Sequence, residues 1–268
     1  MIYIRCYIIG KVNLAMNLIC YLSNGYPTIE SSIRIAKDYV EAGCDIIEVD
    51  FPSGNPFLEG EYIAGRMKAA LENCNDYGKY MDGIQQMKNN HPDTQFIIVI
   101  YEDTLIRIGV ERFIEFCAQN QIRDIIYVGG NKREVKNKMI ENGIRISCYV
   151  QFHMPEEEII AALASNGFVY MQAKPVNNNI NPQYPTLKEC INELKRRGIR
   201  GEIYTGVGIY TIDDIQMAKS SGADAVFIGS TILKLQTDIP KMKETIANFK
   251  KACNESLSAG VCDSLPDK

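Results

Sequence analysis

Along the chain, short runs of apolar and β-branched residues alternate with longer stretches whose apolar positions recur every three or four residues. Runs of the first kind predict buried strands and stretches of the second kind amphipathic helices, the alternation of a parallel sheet with crossover helices. Eight runs stand out: NLICYL (17–22), DIIEVD (45–50), QFIIVIY (95–101), DIIYVG (124–129), RISCYVQF (145–152), GFVYMQA (167–173), GEIYTG (201–206) and ADAVFIG (223–229). Eight is the number that closes a barrel.

Chemistry at the helix ends supports the same division. Thr28 can cap a helix that places Ile29, Ile33, Ala36 and Val40 on one face and ends near Gly43. Pro155 followed by Glu156, Glu157 and Glu158 fits a first helical turn, where acids meet the positive end of the helix dipole. Thr211 with Asp214 repeats the capping pattern. The phrases EAGCD, NGIRI, SNGFV and SSGADAV each set a glycine just ahead of a strand, as a helix-to-strand connection requires. A unit of roughly thirty residues repeated in this way predicts an α/β fold, a single-domain (β/α)8 TIM barrel over 17–253. An open doubly wound sheet is the alternative, but SNGYP after the first strand lacks the glycine-rich dinucleotide turn.

Composition narrows the partners. The 268 residues are 46% apolar, enough for a full core, and the formal net charge of −4 leaves no broad basic surface for a nucleic acid backbone. The nine cysteines, Cys6, Cys20, Cys44, Cys74, Cys117, Cys148, Cys190, Cys253 and Cys262, contain no CxxC pair and read as reduced thiols of a cytoplasmic protein. His91 and His153 have no ligand at metal spacing, so no metal site is expected. The opening MIYIRCYIIGKVNLAM is interrupted by Arg5 and Lys11, too short and too charged to span a membrane. Residues 1–16 read as a poorly ordered extension, with Met16 an alternative start, and 254–268 as a frayed tail.

The chemistry is expected at the strand C-terminal ends. The second strand carries Glu48 inside its most apolar run, and the loop that follows brings Glu59 to the same face. The pair admits two roles. Glu48 can act as general acid or base with Glu59 engaging a second substrate group, or Glu48 can pair with a buried base while Glu59 decorates a loop. YTGVGIYT (204–211) and FIGST (227–231) each end a strand in glycine and open a helix, so Gly206, Gly208, Gly229 and Ser230, with Val207 between, can face backbone N–H groups toward an anion. Loops after the seventh and eighth strands are the frequent phosphate site of barrels. Tyr21, Tyr101, Tyr149 and Tyr170 fall near strand ends and are candidates for the pocket wall.

Together YLSNGYPT, EAGCDIIEVDFPSGNPFLEG, GFVYMQA, TGVGIYT and ADAVFIGSTIL resemble the tryptophan synthase alpha subunit family at matching spacing over about 17–250. The resemblance implies a TIM barrel lyase that cleaves indole-3-glycerol phosphate to indole and glyceraldehyde 3-phosphate without metal or organic cofactor. It implies Glu48 as the catalytic glutamate, Glu59 in place of the family's loop aspartate, Tyr170 as the active-site tyrosine, and phosphate contacts at Gly208, Gly229 and Ser230. Three departures accompany it. Position 59 is one methylene longer, the sixth-strand loop reads AKPVNNNINP (173–182) instead of SRxGVTG, and Asn55 and GGNKRE (129–134) replace segments used against the beta subunit. The family's N-terminal amphipathic helix is not recognisable either. These departures argue against a conventional beta partner. They also leave room for a different phosphorylated substrate, or for a non-catalytic phosphate-binding barrel.

Overall fold

All eight predicted runs form strands in the structure, a computed structural model that describes residues 15–130 and 133–255. They are β1 (Asn17–Leu22), β2 (Ile46–Asp50), β3 (Gln95–Tyr101), β4 (Asp124–Val128), β5 (Arg145–Ile146), β6 (Cys148–Val150), β7 (Val169–Gln172), β8 (Ile203–Gly206) and β9 (Ala225–Ile228). The sheet order is β5-β4-β3-β2-β1-β9-β8-β7-β6, parallel throughout. Nine strands arise from eight runs because RISCYVQF breaks at Ser147. The Ser147 N–H bonds back to Ile125 O at 3.0 Å, whereas the next N–H, of Cys148, bonds forward to Phe168 O at 3.1 Å. One stretch of chain therefore joins both ends of the sheet, and the barrel closes.

The connections are helical. They comprise α1 (Ile29–Glu41), α2 (Glu61–Asn73), α3 (Tyr77–Asn90), α4 (Glu102–Ile108), α5 (Val110–Gln119), α6 (Arg133–Glu141), α7 (Glu156–Leu163), α8 (Leu187–Arg197), α9 (Ile212–Ser221), α10 (Ser230–Leu233) and α11 (Ile239–Asn254). Thr28 caps α1 by accepting from the Ser31 N–H, and its buried face centres on Ser32, Ile35, Ala36 and Tyr39, with Ile29, Ile33 and Val40 packed at the margin. Thr211 and Asp214 form the expected capping box of α9. Pro155 sits just ahead of α7 as its cap, with Glu156, Glu157 and Glu158 in the first turn. Gly43, Gly143 and Gly222 take the left-handed conformation before their strands. Gly167 does not. A side chain there would meet Ile146 O at 2.5 Å, so glycine serves close backbone approach instead.

Strand parity places the core. Ile19, Ile46, Ile97, Phe168, Tyr204, Ala225 and Phe227 fill the barrel's inner layer, and Tyr21, Val99 and Tyr101 lie above it with Met67 and Leu233. Alternate residues such as Leu18, Cys20, Ile47 and Val49 face outward into the helices. Each fully buried isoleucine contributes about 1.5–3 kcal/mol. On β2 the same alternation turns Ile46, Glu48 and Asp50 inward.

The described cysteines carry no disulfide, and no group of histidine, cysteine or acidic side chains among the described residues could hold a metal ion. No described helix is long and apolar enough to cross a membrane. The expected N-terminal extension and C-terminal tail lie outside the described residues except at 15–16 and 254–255. Met16 is buried, its N–H bonded to Cys253 O at 3.3 Å.

Candidate active site

The strand C-terminal ends open into a cavity of about 540 Å³. Glu48, Glu59, Tyr170, Gly208, Gly229, Ser230, Tyr21, Tyr101 and Val207 all line it, as does Tyr149. Ten positions picked from a linear pattern thus meet in one space.

Glu48 enters from β2 and is 7% exposed. Among the described residues no donor and no base reaches its carboxyl, so the pairing alternative fails. Burial pushes Glu48 well above the usual carboxylate range, with Glu59 and Asp50 adding repulsion. An unpaired ionised carboxylate in such a place costs several kcal/mol, and the proton stays on instead.

Glu59 arrives on the loop between β2 and α2. Its Oε1 accepts the Tyr101 hydroxyl at 2.9 Å. Burial raises Glu59 and that hydrogen bond lowers it, leaving a net upward shift. Two fastenings hold the loop: Ser53 Oγ donates to Asp103 Oδ1 at 2.8 Å, and the Gly54 N–H donates to Asp103 Oδ2 at 3.2 Å. Phe57 then stands edge-on to Tyr101 with ring centroids 5.6 Å apart.

Tyr170 forms the opposite wall, stacked on Phe227 at 4.3 Å and edge-on to Tyr149 at 5.5 Å. Such a run of aromatic faces suits a flat, apolar ring. Room for Tyr170 comes from Gly206, where a Cβ would stand 2.7 Å from the Tyr170 ring and closer still to its hydroxyl. Gly206, expected to turn toward an anion, therefore ends β8 and accommodates the tyrosine.

The two later turns, expected to face an anion, lie beside one another on the cavity wall. Val207 and Gly208 both adopt positive φ, +57° and +107°. For a β-branched residue this conformation costs about 1–3 kcal/mol. Gly229 and Ser230 open the short α10 beside it. Asp214 pins the first turn by accepting from the N–H groups of Tyr210 at 2.9 Å and Thr211 at 3.0 Å, and its other oxygen pairs with Lys174. That ion pair ties the rebuilt 173–182 loop to α9. Within the loop, Asn177 and Asn178 occupy left-handed turns that asparagine tolerates, and Asn181 Nδ2 reaches His153 O at 3.3 Å.

Sequence reasoning passed over Asp50. It is fully buried, accepts the Tyr21 hydroxyl and the Asn24 N–H at 2.7 Å, and is pushed up to about 7 by burial against those two bonds. Its signal was the two-residue spacing from Glu48, which puts both acids on one strand face.

A family model described as tryptophan synthase alpha chain matches residues 11–261. The tryptophan synthase of Saccharomyces cerevisiae is 27% identical over 84% of this chain, which spans 32% of that longer protein. The tryptophan synthase alpha chain of Aquifex aeolicus is 29% identical, covering 90% of this chain and 92% of its own length. A crystal structure of tryptophan synthase from M. tuberculosis superposes with a TM-score of 0.78 at 22% identity, over 91% of this chain and 95% of that one.

Proposed function

Because the chain belongs to the tryptophan synthase alpha chain family, we propose that it is a carbon–carbon lyase that cleaves indole-3-glycerol phosphate to indole and glyceraldehyde 3-phosphate. The observation that carries the assignment is the meeting of a buried Glu48, which no donor or base among the described residues reaches, with Glu59 in one aromatic-walled cavity that also holds the Gly208 and Gly229–Ser230 turns.

The reaction is a retro-aldol cleavage. Glu48 gives its proton to the ring carbon that bears the glycerol side chain, which makes that carbon tetrahedral and leaves positive charge on the ring nitrogen. The resulting Glu48 carboxylate takes the proton of the adjacent side-chain hydroxyl. The oxygen becomes the aldehyde carbonyl, the carbon–carbon bond breaks, and its electron pair returns to the ring to restore indole. Glu59, steadied by Tyr101, accepts the ring N–H and offsets its developing charge. Tyr170 and Phe227 brace the ring, while N–H groups of Gly208, Gly229 and Ser230 hold the phosphate.

Exposed apolar side chains surround the mouth: Phe57, Leu58, Val207 and Tyr210. This rim supports a partner chain over the cavity, whereas Asn55 departs from the family's usual contact. Incubating the purified protein with indole-3-glycerol phosphate, with and without a family beta subunit, tests both points. Indole release by the protein, lost in Glu48→Gln, is the expected result. No release even with the beta subunit would overturn the lyase assignment, and release unaltered by Glu48→Gln would remove Glu48 from the mechanism.

A further inference from the structure

Asp50 is a buried acid that the cleavage does not use. It lies two residues beyond Glu48 on the inner face of β2, about 6.6 Å further along the strand. Tyr21 pairs with Glu48 in the β1–β2 register, yet its hydroxyl reaches up to Asp50. The second carboxylate oxygen is taken by the Asn24 N–H. Both partners donate, so both favour the ionised form. Arg66 on α2 is the cation that faces Asp50, but its guanidinium lies 4.0 Å over the Tyr26 ring and bonds Gln236, which in turn donates to Tyr39 at 2.9 Å. It makes no ion pair with Asp50, so the negative charge is left uncancelled by direct contact.

We propose that Asp50, clamped by Tyr21 and Asn24, is a positioning residue that sets a second ionisable carboxyl one layer above Glu48 and, as it takes on negative charge, keeps the Glu48 carboxyl in its proton-donating form. The inference rests on the assignment of Glu48 as the acid.

The surroundings are consistent with this role. Glu48 is faced by Glu59 from the loop, Tyr170 from β7, Tyr21 from β1 and Asp50 from its own strand. Asp50 is faced in addition by Tyr101 from β3 and Tyr80 from α3. Burial pushes all four phenols upward, so they stay neutral near neutral pH. The charges that change are therefore the three acids. Asp50 ionises through about 7, and each increment of its charge makes loss of the Glu48 proton harder. Glu48 is thereby protected as the pH rises, where a lone buried acid would begin to ionise.

The test is a pH titration of the full chain labelled with 13C-glutamate, in which the Glu48 carboxyl signal is identified by its loss in Glu48→Gln. In Asp50→Asn the Glu48 midpoint should move to lower pH, and the alkaline limb of kcat/KM for indole release should move with it. Tyr21→Phe removes one clamp without removing the acid. Asp50 then ionises less readily, and the Glu48 midpoint should shift the same way by less. A Glu48 midpoint unmoved in a folded Asp50→Asn protein would overturn the proposal, and so would an unmoved midpoint in Tyr21→Phe should Asp50→Asn fail to fold. A midpoint that shifts in a protein that releases no indole would support the coupling and discard the lyase assignment alone.

Discussion

The Tyr101 hydroxyl donates to Glu59 Oε1 at 2.9 Å, which ties an acid on a loop to the end of a barrel strand. The bond solves a positional problem. A carboxylate carried by a segment of Pro, Gly and Asn gains the fixed geometry that a strand residue has already, and proton transfer or charge stabilisation depends on such geometry.

Tyr101→Phe therefore releases Glu59 and removes the one interaction that lowers its pKa against burial. In the proposed mechanism the ionised form offsets charge on the ring nitrogen, so the acid limb of the kcat profile should move to higher pH. A hydrogen bond to a charged group contributes about 1.5–3 kcal/mol, which predicts a fall in kcat of roughly 10- to 100-fold. Steady-state kinetics of indole release across the acid range checks both.

Gly206→Ala would drive a methyl group into the Tyr170 ring, with a contact of 2.7 Å. Overpacking of this kind costs about 1–3 kcal/mol. The melting temperature should fall and kcat with it, because the displaced ring no longer meets Phe227 face to face. Replacing Tyr170 by Phe in the same protein, which removes the nearest atom, should restore part of the stability.

Gly208→Ala tests the anion cradle. The residue has φ +107°, and an added Cβ would lie 2.8 Å from the Lys174 Cβ. The turn should rearrange, weakening competitive inhibition by inorganic phosphate by about tenfold, the equivalent of about 1.4 kcal/mol. Ser230→Ala, which leaves the backbone N–H in place, should weaken it less. Inhibition constants for phosphate measure the difference.

Asp50 makes stability depend on pH. Its folded value of about 7 stands above the ordinary aspartate value of 3.8, so the folded state holds a proton that the unfolded chain releases. The stabilisation is full below 3.8 and is lost as pH rises to about 7, on the order of 4 kcal/mol across that window. Urea unfolding between pH 4 and 8 should show a slope that Asp50→Asn flattens.

Much of the fold was legible because burial imposes a period. Continuous apolar runs such as QFIIVIY announce strands covered on both faces, and Thr211 with Asp214 announces a helix start by local hydrogen bonding. The break at Ser147 was not legible. It exists because one strand must bond Ile125 on one side and Phe168 on the other, a demand made only by closure. The site divided in the same way. Glu48 was conspicuous as an acid in an apolar run, and Gly208 and Gly229 as strand-ending glycines.

Asp50 was as visible in the letters as Glu48, but nothing local distinguished a surface acid at a strand end from a clamped one. The chain's order of apolar and polar residues determined the barrel, the strand faces and the loops that open on one rim, since each follows from neighbours within one element. Tertiary structure decided which donors reach which carboxylate: Tyr101 to Glu59, Tyr21 to Asp50 and, among the described residues, none to Glu48. Those contacts join residues 42 and 29 positions apart, and the charge of a buried acid depends on partners that only the closed barrel brings within reach.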